Sequence, residues 1–159
     1  MNLLLDANVF IDYLGRKEPF FADARAIVAA GFFGDAKLWV PAQAATDAFY
    51  VLNRYVPSER LQKALLSAFE VIEPVALSAE ELRRAARLSW PDYEDCLIAL
   101  AADKVRADYL IARDAKGFQR SSTPVLSPAQ WRELMLEEHH LDFDEIQLQG
   151  LSLSSLVQR

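Results

Sequence analysis

The sequence has a single cysteine, Cys96, among 159 residues. One thiol excludes an internal disulfide and any zinc site built from several cysteines. Glycine and proline are scarce as well, at five and seven residues. With 52% hydrophobic and 25% charged residues, the composition excludes a low-complexity or disordered chain over most of its length. No apolar run approaches a membrane span, and Asp6 interrupts the first apolar segment too early for a secretory leader. These absences predict a soluble, cytoplasmic protein with no membrane partner. Positive charge is also in short supply, with a formal net charge of −6 and a pI near 4.9. That balance argues against a simple DNA-binding module, which neutralises phosphates with Lys and Arg. It weighs less against an enzyme whose clustered carboxylates are offset by divalent cations.

What is present is an alternation of short apolar runs and helical patterns. Asn2–Asp6 reads as a buried parallel strand that ends in an acid, and Asn8 as a cap for the short helix after it. Helical spacing runs from Phe20 to Phe33 and stops at Gly34. A strand at Lys37–Val40, closed by Pro41, precedes helices at Ala42–Tyr55 and Ser58–Phe69. Val71–Pro74 reads as a strand and Ser78–Leu88 as a helix with a Ser78–Glu81 capping box. Helix Tyr93–Val105, strand Asp108–Ala112 and helix Ser127–Glu137, with Pro128 in its first turn, complete the pattern. Strands alternating with helices predict an α/β fold, a sandwich around a mainly parallel sheet. Residues 1–136 read as one domain. Residues 137–159 read as a C-terminal extension in which Ile146, Leu148, Leu151 and Leu153 alternate with period two. Such a tail suits an added strand, on this sheet or on a neighbouring subunit, or a partly ordered terminus.

Four acids stand out. Asp6 and Asp114 each follow an apolar strand, and ligands of open parallel sheets collect at the carboxyl ends of strands. The bland reading of each alone is turn chemistry or a helix cap. Asp47 falls within the apolar stripe Ala44, Ala48, Val51 and Tyr55, where an ionised carboxylate is costly unless paired or bound to a cation. An ion pair with a neighbour such as Arg54 is the structural alternative. Asp92, Glu94 and Asp95 open a helix, where acids are common for capping and dipole reasons. Asp95 nevertheless stacks with Ala99 and Ala102, a small-residue face that would pack on the sheet and aim Asp95 inward. Asp92 fits the cap and could reach the same ion, whereas Glu94 lies off that face and reads as solvated.

Converging carboxylates repel one another unless a cation intervenes. Mg2+ or Mn2+ is the matching ion, hard and oxygen-seeking. Phosphodiester hydrolysis suits an all-carboxylate site with no nucleophilic Ser or Cys motif.

The blocks Leu-Leu-Leu-Asp6-Ala-Asn8-Val-Phe-Ile-Asp12, Thr46-Asp47-Ala-Phe-Tyr50-Val-Leu, Asp92-Tyr-Glu-Asp95-Cys-Leu-Ile-Ala-Leu-Ala and Leu-Ile-Ala-Arg113-Asp114, with Phe118 beyond, together resemble a PIN-domain ribonuclease. The likeness is to the VapC-type toxins of toxin–antitoxin pairs and covers residues 1–136 in order and spacing. It implies a PIN-like α/β/α sandwich and an endonuclease that cleaves RNA. Its magnesium or manganese ion would be held by Asp6, Asp47, Asp95 and Asp114, with Asn8 and Asp92 in support. It also implies a homodimer bound by an antitoxin. Two departures from the family are Asp rather than Glu at position 47, and Ala112 where Thr or Ser is common.

Arg113, Lys116 and Arg120 form a local basic cluster that could steer RNA, and Arg113 and Lys116 are taken as substrate contacts. A solvated loop is the alternative. His139 and His140 are adjacent, so they diverge on a helix or a strand and read as a polar helix end. Trp39, Trp90 and Trp131 read as core packing and Cys96 as a buried thiol. Rival functions are a phosphatase, a DNA nuclease and a degenerate PIN domain serving as a binding scaffold. A haloacid-dehalogenase-type phosphatase wants an acid where Asn8 stands. A flap nuclease wants more basic surface, and a scaffold predicts missing acids.

Overall fold

Leu3, Leu4 and Leu5 are each no more than 1% exposed, so both faces of their strand are covered. This burial is why the run carries no polar alternation, and each such side chain contributes about 1.5–3 kcal/mol relative to exposure. The computed structural model of the protein describes residues 1–143; the expectation for the 144–159 part of the tail lies outside the described residues.

The elements run β1 (Asn2–Leu5), α1 (Ala7–Gly15), α2 (Phe21–Phe33), β2 (Lys37–Pro41), α3 (Ala42–Leu52), α4 (Ser58–Ala68) and β3 (Ile72–Val75). They continue with α5 (Ala79–Leu88), α6 (Tyr93–Val105), β4 (Tyr109–Ile111), a 3-10 turn at Lys116–Phe118, β5 (Val125–Leu126) and α7 (Pro128–His139). The sheet has five strands in the order β3-β2-β1-β4-β5, and every pairing is parallel. On one face, Leu3, Leu5, Leu38, Ile72 and Ile111 share a core with apolar side chains of α1, α2, α3 and α7. On the other, Leu4, Leu110 and Val75 pack on Ile98, Ala101 and Ala102 of α6. Ala85 of α5 joins Cys96, Leu97 and Leu100 on the far side of α6. The period-two alternation of strand side chains thus builds the α/β/α sandwich that the sequence predicts.

Local chemistry sets the element ends. Gly34 closes α2 in the left-handed region (φ 84°), where a side chain would be strained. Ser78 and Glu81 form the expected capping box of α5, and Ser127 with Gln130 forms another at α7. Asp6, not Asn8, is the N-cap residue of α1, and its side chain makes no capping bond. Helix α3 stops at Leu52, three residues short of the predicted end at Tyr55. Its buried stripe is Ala44, Ala48 and Leu52, while Val51 and Tyr55 are exposed. A four-residue step keeps one face on the core, and the expected switch to Val51 turned the stripe by about 100° per residue. The short β5 escaped the sequence reading. It is two residues long, yet it receives the backbone N–H of Ala112 on Leu126.

Trp131 is fully buried and stacks on Phe143, and Cys96 is buried with its thiol pushed up by burial. Trp39 and Trp90 are half-buried at core edges. His139 ends α7 and His140 caps it, both exposed. Leu141 and Phe143 pack on the main core beyond that helix. Among the described residues no helix is long and apolar enough to cross a membrane.

Candidate active site

The chain leaves β1 to build α1, α2 and β2 on one side, and returns later to place β4 on β1's other side. The strand order therefore reverses between β1 and β4, and a crevice opens at their carboxyl ends. The backbone N–H of Asp6 donates to the carbonyl of Ile111 (2.9 Å), which ties the two strand ends together. Asp6 follows β1 directly, and Asp114 lies three residues past β4.

Asp6 is only 7% exposed. Its Oδ2 accepts a 3.4 Å bond from Nδ2 of Asn8, one residue into α1. Burial pushes its carboxyl above the ordinary range and Asp95 pushes it further, while Asn8 and the amides of Ala7 and Asn8 partly offset them. Asp95 is half-buried at the start of α6 and is raised by burial and by the charges of Asp92 and Asp114. Ala99 and Ala102, on the same face of α6, are 5% and 0% exposed, so this helix packs close to its neighbours as its small residues suggest. Asp92 caps α6, its Oδ1 accepting from the amides of Glu94 (2.8 Å) and Asp95 (3.3 Å). Asp47 is half-buried on α3, one residue before Ala48 of the core stripe. Asp114 is exposed, and its Oδ1 accepts from the amide of Lys116 at 2.9 Å.

Glu94 is solvated as the sequence predicts, but its electrostatic neighbours were not foreseen. It is exposed, but its carboxyl is raised by burial and then by Asp47, Asp6, Asp92 and Asp95. It therefore belongs electrostatically with the acids from which helical geometry had separated it. Its charge links α3, on which Asp47 sits, to the acids of β1 and α6. No local periodicity reports this, because the partners lie 47 and 88 residues away in the chain (94 − 47; 94 − 6).

Arg113 takes a different partner from the one expected. Its Nε and Nη2 donate to Asp12 at 2.6 and 2.7 Å, a two-pronged ion pair that leaves Asp12 1% exposed. Arg120 donates to the carbonyls of Leu88 and Ser89 at the end of α5. Of the three cations read as a basic cluster, only Lys116 keeps a side chain without a partner among the described residues.

Gly117 was missed. A Cβ there would lie 2.0 Å from Oδ2 and 2.8 Å from Cγ of Asp95, so the 3-10 turn can approach that carboxylate only with hydrogen at this position. Gly117→Ala should displace Asp95 and lower any metal-dependent activity about 10- to 100-fold with little change in circular dichroism. Unchanged kcat/KM in the folded variant would show that Asp95 has no fixed role.

The donor set fits a hard divalent cation. It consists of carboxylates, and among the described residues no lysine or arginine lowers Asp6, Glu94 or Asp95. Among the described residues no three Asp, Glu, His or Cys side chains lie close enough to enclose an ion.

Comparison with known proteins bears on the family and the fold. The family model described as PIN domain matches residues 2–116. The fold is similar to a chain in the crystal structure of VapBC2 from Rickettsia felis bound to a DNA fragment from their promoter. The TM-score is 0.57 at 17% identity, covering 80% of this chain and 98% of that one. It is also similar to a chain in the crystal structure of FitAcB from Neisseria gonorrhoeae, with TM-score 0.51 and 16% identity over 80% and 98% of the two chains. No curated protein matches by sequence. PIN domains are generally nucleases that use divalent metal ions. By the model match over most of its length, this chain belongs to the PIN-domain family.

Proposed function

We propose that this PIN domain is a magnesium- or manganese-dependent endoribonuclease and the toxin of a toxin–antitoxin pair. The observation that carries the nuclease reading is the acid cluster at the β1/β4 reversal. There Asp6, Glu94 and Asp95 are all raised by burial and by neighbouring acids, and among the described residues no basic side chain lowers them. The toxin reading is supported by the two similar structures, both of paired proteins named VapBC2 and FitAcB.

Asp6, Asp47, Asp95 and Asp114 would hold the ion, and Asn8 would orient Asp6 for it. Asp92 fixes the start of α6 and so the placement of Asp95. When bound, the ion supplies charge neutralisation and Lewis-acid polarisation of the scissile phosphate. Glu94, raised by burial and then by neighbouring acids, would accept a proton from the attacking water. Lys116, whose side chain has no partner among the described residues, lies beside Asp114 and would meet a phosphate oxygen. Exposed Tyr50 and Val51 on α3 and Leu66 on α4 offer apolar surface for a second copy or an antitoxin. The cytoplasm is the compartment in which RNA and an antitoxin would meet this chain.

Purified protein should cut a panel of single-stranded RNAs in Mg2+, lose that activity in EDTA, and leave DNA of the same sequences intact. Cleavage of the DNA instead would replace the substrate. Intact RNA with no measurable ion binding would favour a binding scaffold.

The raised acids also predict a pH-dependent response to metal. An acid with a folded pKa above its unfolded value of 3.8 (Asp) or 4.5 (Glu) destabilises the fold increasingly as pH rises through that interval. A bound cation removes this penalty. Mg2+ at about 100 times its Kd should therefore stabilise by about 2.7 kcal/mol and raise Tm by roughly 5–10 °C. The effect should be full at neutral pH and fade as the pH falls into the carboxylate range. A Tm insensitive to Mg2+ at neutral pH would contradict it.

A further inference from the structure

Arg113 precedes Asp114 in the chain, where the polypeptide leaves the sheet. Ala112 is still held, its amide donating to Leu126. The next fixed point is the turn in which Asp114 accepts from the amide of Lys116. Between these points the guanidinium of Arg113 reaches Asp12 of α1, 101 residues away in sequence, through two parallel N–H···O bonds. A guanidinium–carboxylate fork fixes orientation as well as distance, which a single ammonium contact does not.

The surroundings make this a built device. Asp12 lies one helical turn after Asn8, so the α1 face that supports Asp6 also anchors Arg113. The chain after α1 folds back, with the amide of Lys17 on the carbonyl of Asp12 and that of Phe20 on the carbonyl of Lys17. This brings the ring of Phe20 to 4.4 Å from the guanidinium carbon. The guanidinium is thus bonded by a buried carboxylate and stacked on an aromatic ring.

We propose that the Asp12–Arg113 pair is a positioning clamp that sets Asp114 relative to Asp6 for metal binding. The inference rests on the metal-site reading above and deepens it. In this role Asp12 and Arg113 act through the chain segment that carries Asp114 and through the helix that carries Asn8.

Titration of Mn2+ into metal-free protein by calorimetry, with Tm measured in parallel, tests the clamp. Wild type should bind saturably. Asp12→Leu/Arg113→Met replaces both charges with apolar groups, which restores stability where breaking one partner would not. That double variant should fold with a Tm near wild type, yet bind Mn2+ about 10- to 100-fold more weakly. Arg113→Lys keeps the charge but loses the fork, and should also weaken Mn2+ binding while remaining folded. A purely structural pair predicts the opposite, wild-type affinity in any variant folded at the assay temperature, and that result overturns the clamp alone. Should the double variant not fold, Arg113→Lys decides by the same criterion. Absence of Mn2+ binding by wild type overturns the metal-site reading and the clamp with it.

Discussion

Asp6→Asn is expected to lower magnesium-dependent cleavage about 10³-fold, because a metal ion supplies several kcal/mol of transition-state stabilisation at 1.36 kcal/mol per tenfold. The same substitution should leave metal-free protein at least as stable as wild type at neutral pH. Asp6 is 7% exposed and raised by burial and by Asp95, so its ionised form is unfavourable in the empty fold. An amide at this position keeps an acceptor oxygen for the bond from Asn8 while removing the charge. The two effects point in opposite directions, and a misfolded variant would not show both. Cleavage rates and metal-free melting curves on the same preparation check them. Full activity, or a Tm lowered by many degrees, would remove Asp6 from the role assigned to it.

Arg113→Met should destabilise the fold by about 3–5 kcal/mol, the usual effect of leaving a buried charge without its partner. In a chain of this size that lowers Tm by roughly 10 °C. Asp12 is 1% exposed and already sits above the ordinary carboxylate range because burial outweighs the attraction of Arg113. Without the guanidinium its carboxyl rises further and takes up a proton instead. The stability deficit is then largest at neutral pH and shrinks as pH falls toward the unfolded value of 3.8, where both states become protonated. Chemical denaturation at several pH values measures the deficit and its slope. A pH-independent deficit would mean that lost packing against Phe20, not the unpaired Asp12, causes it.

The two predictions concern groups that were unequally legible in the sequence. Leu3–Leu5 announced a buried strand, because apolar runs are local signals, while the acids after it and after Tyr109–Ile111 could share a crevice only if the two strands were neighbours, as they are. The neighbouring positions of β1 and β4 follow from a handful of permitted connections. Asp12 gave no such signal, since its partner is 101 residues away and nothing in its own helix requires one. Glu94 is exposed as its helix face predicts, but its acidic neighbours were hidden for a related reason. Helical geometry places it beside Asp95 on a different face, and only the packing of α6 brings it within reach of Asp47 and Asp6. Val51 and Tyr55 look apolar enough for a core, but α3 ends before Tyr55 and turns Val51 outward. Gly117 is legible only once Asp95 is in place against it. Periodicity thus reports the face of an element, whereas partners between elements depend on a topology the pattern constrains only loosely.

The central claim is that the acids at the β1/β4 reversal bind a divalent ion, and calorimetric titration of Mg2+ tests it most directly. At neutral pH wild type should show saturable binding that weakens as pH falls into the carboxylate range, and Asp6→Asn should lose it. Equal heats for wild type and Asp6→Asn, or no saturable heat from wild type at any pH, would contradict the account.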